Sequence, residues 1–254
     1  MKCIINGRIV MPDGVLSEHA ITFDKEIESG VPQRDLNLDE YDVIDAKGHL
    51  VAPGLVDIHI HGYLGEDASD GSAEGLKVMA AGIVKNGVTS WCPTTMTIAK
   101  DEIVKAFDTA RAVKTEESCY GAKILGVNCE GPFINPSKKG AQPGEYILPP
   151  DGDFILQHAD IIKLFTVAPE MEGAKECIQK VYEDGRVLVS MGHTNASFDE
   201  ANKGIEFGVR HTTHLVNAMT ALVHRNPGVV GAALSDERVS CELIADTFHV
   251  NPGL

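Results

Sequence analysis

The stretch PGLVDIHIHG, residues 53–62, decides how the chain is read. As a β-strand it alternates between two faces, so Asp57, His59 and His61 share one face and Val56, Ile58 and Ile60 the other. In a parallel barrel the inward face is normally filled by bulky branched side chains, and two imidazoles there lose their hydration unless something binds them. A hydrogen-bonded pair of core histidines fits this pattern. A metal ion fits it equally, because imidazole is the commonest metal-ligating side chain.

Working outward, the texture differs on the two sides. Residues 1–49 contain short strand-like pieces, CIINGRIV, AITFD and YDVIDA, separated by the turn-rich MPDG and the polar ESGVPQRDLNLDE, and are expected to form a small β-domain. From residue 50 to 254, apolar β-runs alternate with helix-length amphipathic segments, the pattern of βαβ units on a parallel sheet. Strand ends are predicted at His61, Thr95, Glu130, Ala168, His193, His214 and His249, and their spacing suits the roughly 31 residues per unit of a (β/α)8 barrel. Between them, Ser72 caps AEGLKVMAAGIVK with Gly87 beyond its end. DEIVKAFDTARAV turns Ile103, Phe107 and Ala110 to one face, and Gly185 closes AKECIQKVYED. Ser197 caps FDEANKGIEF, with Asp199 and Glu200 in the first turn where the helix dipole favours them, and Pro227 opens GVVGAALS. Seven of eight strands are thus expected, so the fold class is an α/β, TIM-type barrel incomplete at strand eight beside a small N-terminal β-portion, and the coding unit reads as truncated.

The totals exclude several functions. Of 254 residues 43% are hydrophobic and 23% charged, which is globular composition, and the net charge of −15 leaves no basic face for nucleic acid or an anionic membrane. No apolar run approaches the ~20 residues that span a bilayer. The cysteines at 3, 92, 119, 129, 177 and 241 lack CxxC spacing, and MKCIINGRIV has no secretory pattern, so a reduced, cytoplasmic protein is expected.

Four strand ends carry good metal ligands: His59 and His61, Glu130 in NCEGPF, His193 in MGHTNA and His214 in THLVNAM. Barrel enzymes draw catalytic residues from different strands at this rim. Singly, Glu130 would be a salt-bridged carboxylate and each histidine a hydrogen-bonded one; together they suit a divalent zinc, iron or manganese ion. Such an ion lowers the pKa of bound water towards about 7 and polarises a carbonyl, which points to hydrolysis of an amide or ester.

PGLVDIHIHG, EGPF followed by KKGA, GHTNA, THLVNAM and IADTFHV, in this order, resemble the amidohydrolase superfamily and within it the N-acetylglucosamine-6-phosphate deacetylase family. The resemblance covers the chain from end to end. It implies a metal-bearing (β/α)8 barrel beside a small β-sandwich, a homodimer, and removal of the acetyl group from an amino-sugar 6-phosphate to give glucosamine 6-phosphate and acetate. It makes Glu130, His193 and His214 ligands of a principal ion and His59 and His61 the pair that admits a second. Ala141, Gln142, Asn217, Ala218 and His249 become substrate-binding residues, and Arg225 an arginine reaching the sugar phosphate across the dimer interface. A planar cation suits phosphate independently of any family. Where relatives commonly carry His after KKGA this chain has Gln142, which hydrogen-bonds but carries no charge. The segment PFINPSKKGAQPGEYILPP is long enough to be a lid. The family's general base and acid, an aspartate on strand eight, is expected beyond Leu254, so no catalytic residue is visible. Two other readings stand beside this one: an amidohydrolase acting on cyclic amides, against which EGPF argues, and an inactive fragment that binds metal or substrate without turnover.

Overall fold

The structure, a computed structural model, describes residues 1–116 and 121–254, and divides into two compact units, Met1–Leu55 and Val56–Leu254. Cys119 lies outside the described residues. Cys3, Cys92, Cys129 and Cys177 are buried free thiols and Cys241 an exposed one. No helix among the described residues is long and apolar enough to cross a membrane.

The first unit holds β1 (Lys2–Ile5), β2 (Arg8–Met11), β3 (Gly14–Leu16), β4 (His19–Phe23), β5 (Ile27–Pro32), β6 (Asp42–Asp45) and β7 (Leu50–Val51). They form a four-stranded sheet in the order β5-β4-β1-β6 and a three-stranded sheet β3-β2-β7. Asn6, at φ 53°, and Gly7 break CIINGRIV into two strands that join different sheets. The small core is Cys3, Ile5 and Ala20, with Leu36, Leu38 and Tyr41 packed against it. The polar linker expected around ESGVP is instead β5, antiparallel to β4 from His19↔Pro32 to Phe23↔Ile27. Its backbone hydrogen bonds form there without an apolar face, and Pro32 fits at the strand's last position.

From Val56 on, the second unit holds the rest of β8 (Leu55–Ile60), then a short hairpin of β9 (Gly62–Tyr63) and β10 (Glu66–Asp67). Next come β11 (Val88–Thr95), β12 (Lys123–Ile124), β13 (Val127–Phe133), β14 (Ile162–Val167), β15 (Leu188–Met191), β16 (His211–Thr212) and β17 (Ser240–Cys241). β11 pairs with β8, β12 and β13, and parallel pairing continues in sequence order from β13 to β17. The result is an open, curled parallel sheet with β8 and β17 at its two edges. All seven residues of β13 are buried, as a central parallel strand covered on both faces requires.

The helices α1 (Ala73–Ile83), α2 (Lys100–Thr115), α3 (Gly152–Gln157), α4 (Ala174–Asp184), α5 (Phe198–Phe207) and α6 (Gly228–Ser235) lie between the strands in sequence. Their ends are set by local chemistry. Ser72 Oγ accepts from Gly75 N at 3.0 Å, and Ser197 and Glu200 form a reciprocal capping box. Gly185 ends α4 at φ 76°. Ile103, Phe107 and Ala110 of α2 are buried together in the main core.

Two strands are shorter than the sequence suggests. HTTH contributes only His211 and Thr212, and the run VSCELIADTFH stops being strand at Cys241, so His249 does not end a strand. Among the described residues β17 pairs with β16 alone, and β16 itself ends at Thr212, the partner of Cys241, so the ladder stops there.

Candidate metal centre

Five side chains from the strand ends converge. Glu130 sits on β13 just before a register shift relative to β14, His59 is on β8 and His61 one residue past it. His193 and His214 each follow their strand by two residues and take left-handed backbone, φ 46° and 30°, as do Val216 and Ala218 at 74° and 51°. Non-glycine residues seldom adopt that conformation, and such strain gathers where surrounding structure fixes a side chain for use.

Glu130 Oε1 lies 2.9 Å from His214 Nε2 and 3.1 Å from His193 Nε2, and those two nitrogens are 3.1 Å apart. Its Oε2 lies 3.0 Å from His61 Nε2, while His59 Nε2 stands 3.5 Å from Oε1 and 3.4 Å from His61 Nε2. Two ligand groups result, His59–His61–Glu130 and Glu130–His193–His214, and they share one carboxylate. Glu130 is 1% exposed, so this charge is met by protein groups or by an ion, not by bulk water.

Hydrogen bonds on the far side of the rings fix where their protons lie. His193 Nδ1 is 2.8 Å from Lys138 O and His61 Nδ1 3.1 Å from Thr94 O, and a carbonyl only accepts, so each Nδ1 carries the hydrogen. His59 Nδ1 donates in the same way to Glu242 Oε2 at 2.8 Å. In the neutral rings Nε2 is then a bare lone pair, and all three lone pairs face the Glu130 carboxylate. Acceptors facing acceptors repel unless cations lie between them. The donor set therefore fits divalent metal, with the outer hydrogen bonds that metal-ligating imidazoles use to hold tautomer and orientation.

With protons as the only cations, the same geometry perturbs both partners. Burial opposes charge on His59, yet Glu130 and Glu242 outweigh it and raise its pKa to about 10. Burial likewise opposes ionisation of Glu130, but His193, His214, His59 and His61 hold it well below the usual carboxylate range. Cys129, although adjacent to Glu130, is no ligand: burial pushes its thiol up to about 12, and its Sγ donates to Gly131 O.

The other predicted residues fall into two sets. Gln142 is buried; its amide donates to Glu130 Oε2 at 2.7 Å and its carbonyl accepts from Thr97 N, which places it against the candidate ligand carboxylate. Asn217 is next to the site by its backbone, N to His214 O at 3.0 Å, and its Nδ2 is buried without a partner. Ala218 presents its carbonyl to Thr194 N. Ala141 is exposed beside Gln142. Arg225 is exposed on the turn closed by Val223 and Asn226 and makes no ion pair among the described residues. His249 is also exposed, its Nδ1 2.6 Å from Asp246, and belongs to neither ligand group.

The segment 132–150, expected as a lid, is tied down over this centre. Asn135 N bonds to His193 O at 2.9 Å, Lys138 Nζ to Met219 O at 3.2 Å, and Gln142 to Glu130. Sequence reading missed three supporting residues. Asn128 is fully buried and its Nδ2 reaches past β11 to Ile58 O, Thr94 Oγ1 accepts from Ile60 N, and Glu242 bonds to His59. The signals were present: Asn128 precedes Glu130 by two and so shares its face of the strand, and Glu242 interrupts an apolar run.

Among curated proteins, this chain is 39% identical over 209 residues to N-acetylglucosamine-6-phosphate deacetylase of Bacillus subtilis, covering 80% of this chain and 52% of that one. It is 31% identical over 249 residues to N-acetylgalactosamine-6-phosphate deacetylase of Escherichia coli O157:H7, covering 96% and 64%. The crystal structure of N-acetylglucosamine-6-phosphate deacetylase from Pasteurella multocida superposes with a TM-score of 0.91 at 30% identity, over 99% of this chain and 66% of that one. The chain thus spans about half to two-thirds of the length of these relatives. The family model described as "Amidohydrolase family" matches residues 50–250, which include all five converging side chains, and the chain belongs to the amidohydrolase family.

Proposed function

We propose that this chain is the metal-binding and substrate-binding portion of an N-acetylglucosamine-6-phosphate deacetylase, which hydrolyses the acetamide to glucosamine 6-phosphate and acetate. The observation that carries this is the Glu130-centred cluster, in which the Nε2 atoms of four histidines converge within 3.5 Å of one buried carboxylate. The named relatives support the substrate class.

Glu130, His193 and His214 hold the principal ion and His59 with His61 a second; zinc, iron and manganese all suit the donors. The ion supplies an activated water and polarisation of the acetamide carbonyl. The chain's residues do the rest. Gln142 donates to Glu130 and fixes the carboxylate's rotation, and Asn217, with its unpartnered buried amide, offers a donor to a sugar oxygen. Ala141, Ala218 and His249 complete the substrate contacts in this reading. Arg225, unpaired on its turn, reaches the 6-phosphate of a partner subunit's substrate in a homodimer. Residues 50–254 form the larger part of a TIM-type barrel and 1–49 part of a β-sandwich, in a cytoplasmic protein.

Proton transfer to the leaving amine is a separate matter. Among the described residues, the carboxylates in contact with these imidazoles are Glu130 and Glu242, and both are committed to histidines. The proton carrier is therefore a group outside this cluster, and without general acid–base help the rate falls by roughly 10²- to 10⁴-fold.

The test is calorimetric binding of glucosamine 6-phosphate and of a cyclic amide such as dihydrouracil to the zinc-loaded chain. Binding of the sugar phosphate alone supports this reading, and binding of the cyclic amide alone reverses it. Acetate release by the 254-residue chain at about 1 s⁻¹ or faster would place the proton carrier among this chain's own residues. The cyclic-amide reading is not favoured, since the relatives named above act, by their names, on amino-sugar phosphates. A second reading has specific support: the galactosamine relative covers 96% of this chain, so the 4-epimer N-acetylgalactosamine 6-phosphate is the alternative substrate.

A further inference from the structure

We propose that Glu242 is a positioning residue that couples the two candidate ion sites. This rests on the metal-binding reading above and adds a residue that reading does not need. Glu242 Oε2 takes two hydrogen bonds, one from His59 Nδ1 at 2.8 Å and one from the backbone N of His214 at 3.0 Å. One oxygen thus holds a ligand of the His59–His61–Glu130 group and the backbone of a ligand in the Glu130–His193–His214 group.

The far-side partner of His59 differs from the others. His61 and His193 donate to the carbonyls of Thr94 and Lys138, whereas His59 donates to a carboxylate. A charged acceptor on Nδ1 locks the tautomer with Nε2 as the lone pair and makes that nitrogen a stronger donor to a metal. His59 needs this more than its neighbours, because its Nε2 stands farthest from Glu130, at 3.5 Å. The second bond of Glu242 restrains His214, whose φ of 30° requires outside support.

Glu242 is largely enclosed. Its side chain is 12% exposed, and Oε1 is buried with no hydrogen bond, 3.8 Å from His211 Nε2. From His211 Nδ1 a buried chain runs through Ser190 Oγ at 2.9 Å to Thr213 Oγ1 at 2.7 Å and Thr166 Oγ1 at 2.8 Å. The carboxylate lies on the Nδ1 side of the His59 ring, away from Glu130, so it orients a ligand and does not face the reacting atoms.

The experiment is a cobalt(II) titration of the 254-residue chain, following calorimetry and the visible absorption of the bound ion, in wild type, Glu242→Ala, Glu242→Gln, His59→Ala and the His59→Ala/Glu242→Ala double variant. Wild type should bind two ions. Glu242→Ala should weaken the second about 10- to 100-fold and change its absorption, while Glu242→Gln, which keeps an uncharged acceptor, should lose several-fold less. In the His59→Ala background, which retains one ion, adding Glu242→Ala should weaken that ion far less than it weakens the second ion of wild type. If Glu242→Ala does not fold, Glu242→Gln decides: affinity and spectrum identical to wild type would overturn the proposal. So would a wild type that takes one cobalt, or a Glu242→Ala effect equally large without His59. A wild type that takes no cobalt would instead overturn the metal-binding reading itself.

Discussion

Glu242 Oε2 and His59 Nδ1 stand 2.8 Å apart, and through this contact the residue that follows the last strand of the parallel sheet meets the first strand at the rim where the candidate ligands gather. β8 and β17 share no ladder. This side-chain contact links the two edges at the candidate centre.

Replacing Glu130 by Gln should abolish tight metal binding at both groups, because the carboxylate is common to them. Elemental analysis after dialysis would read this as a fall from stoichiometric metal to near zero. Loss of only one ion would show that the carboxylate is not shared.

His61→Ala should remove one ion and leave the other, since Glu130, His193 and His214 form a complete group without it. The expected stoichiometry is one, with the remaining ion's affinity changed by less than about tenfold, the scale of losing an outer-shell partner. Equal loss of both ions would contradict two separable sites.

The metal-free chain should show a pH profile set by the same contacts. The raised pKa of His59, about 10 against an ordinary 6.5, contributes stability that is full below pH 6.5 and is lost as pH rises through about 10. The depressed pKa of Glu130 works in the opposite sense. Its contribution is present above the ordinary value of 4.5 and is lost as pH falls below it. Thermal melting of EDTA-treated protein should therefore fall away on both sides of a maximum near pH 5–6.5, roughly the window between those two values. His59→Gln should flatten the alkaline side. An alkaline limb unchanged by that substitution would assign the loss to other groups.

Gly131→Ala tests why glycine follows Glu130. Gly131 has φ +91°, and a Cβ there would lie 2.1 Å from Thr97 Oγ1. Strain and clash together should destabilise the chain by about 2–4 kcal/mol in urea unfolding, the range of special-backbone and overpacking substitutions. A change below about 0.5 kcal/mol would mean the turn relaxes freely.

Much of this organisation was legible in the chain itself, for identifiable reasons. The capping signals of Ser72 and Ser197, the glycine after α4 and the apolar stripe of α2 are local chemistry, and the structure follows them. The period-two alternation of β8 put His59 and His61 on one face, and they converge with Glu130. What could not be read depended on partners far away in sequence. β5 is held by pairing with β4 despite a polar sequence, and β17 ends at Cys241 where its partner β16 ends at Thr212. Glu242 and Asn128 act across 183 and 70 residues respectively; a local pattern marks them as polar residues in apolar runs but does not name their partners. Gln142 was expected at the substrate through its place after KKGA, and its hydrogen bond to Glu130 emerges only when segment 132–150 folds over β13.

The most direct measurement is elemental analysis of the chain after loading with zinc and exhaustive dialysis. The account predicts at least one zinc retained per chain in wild type and none in Glu130→Gln. A wild-type chain that is folded by circular dichroism yet retains no stoichiometric zinc, iron or manganese would contradict it.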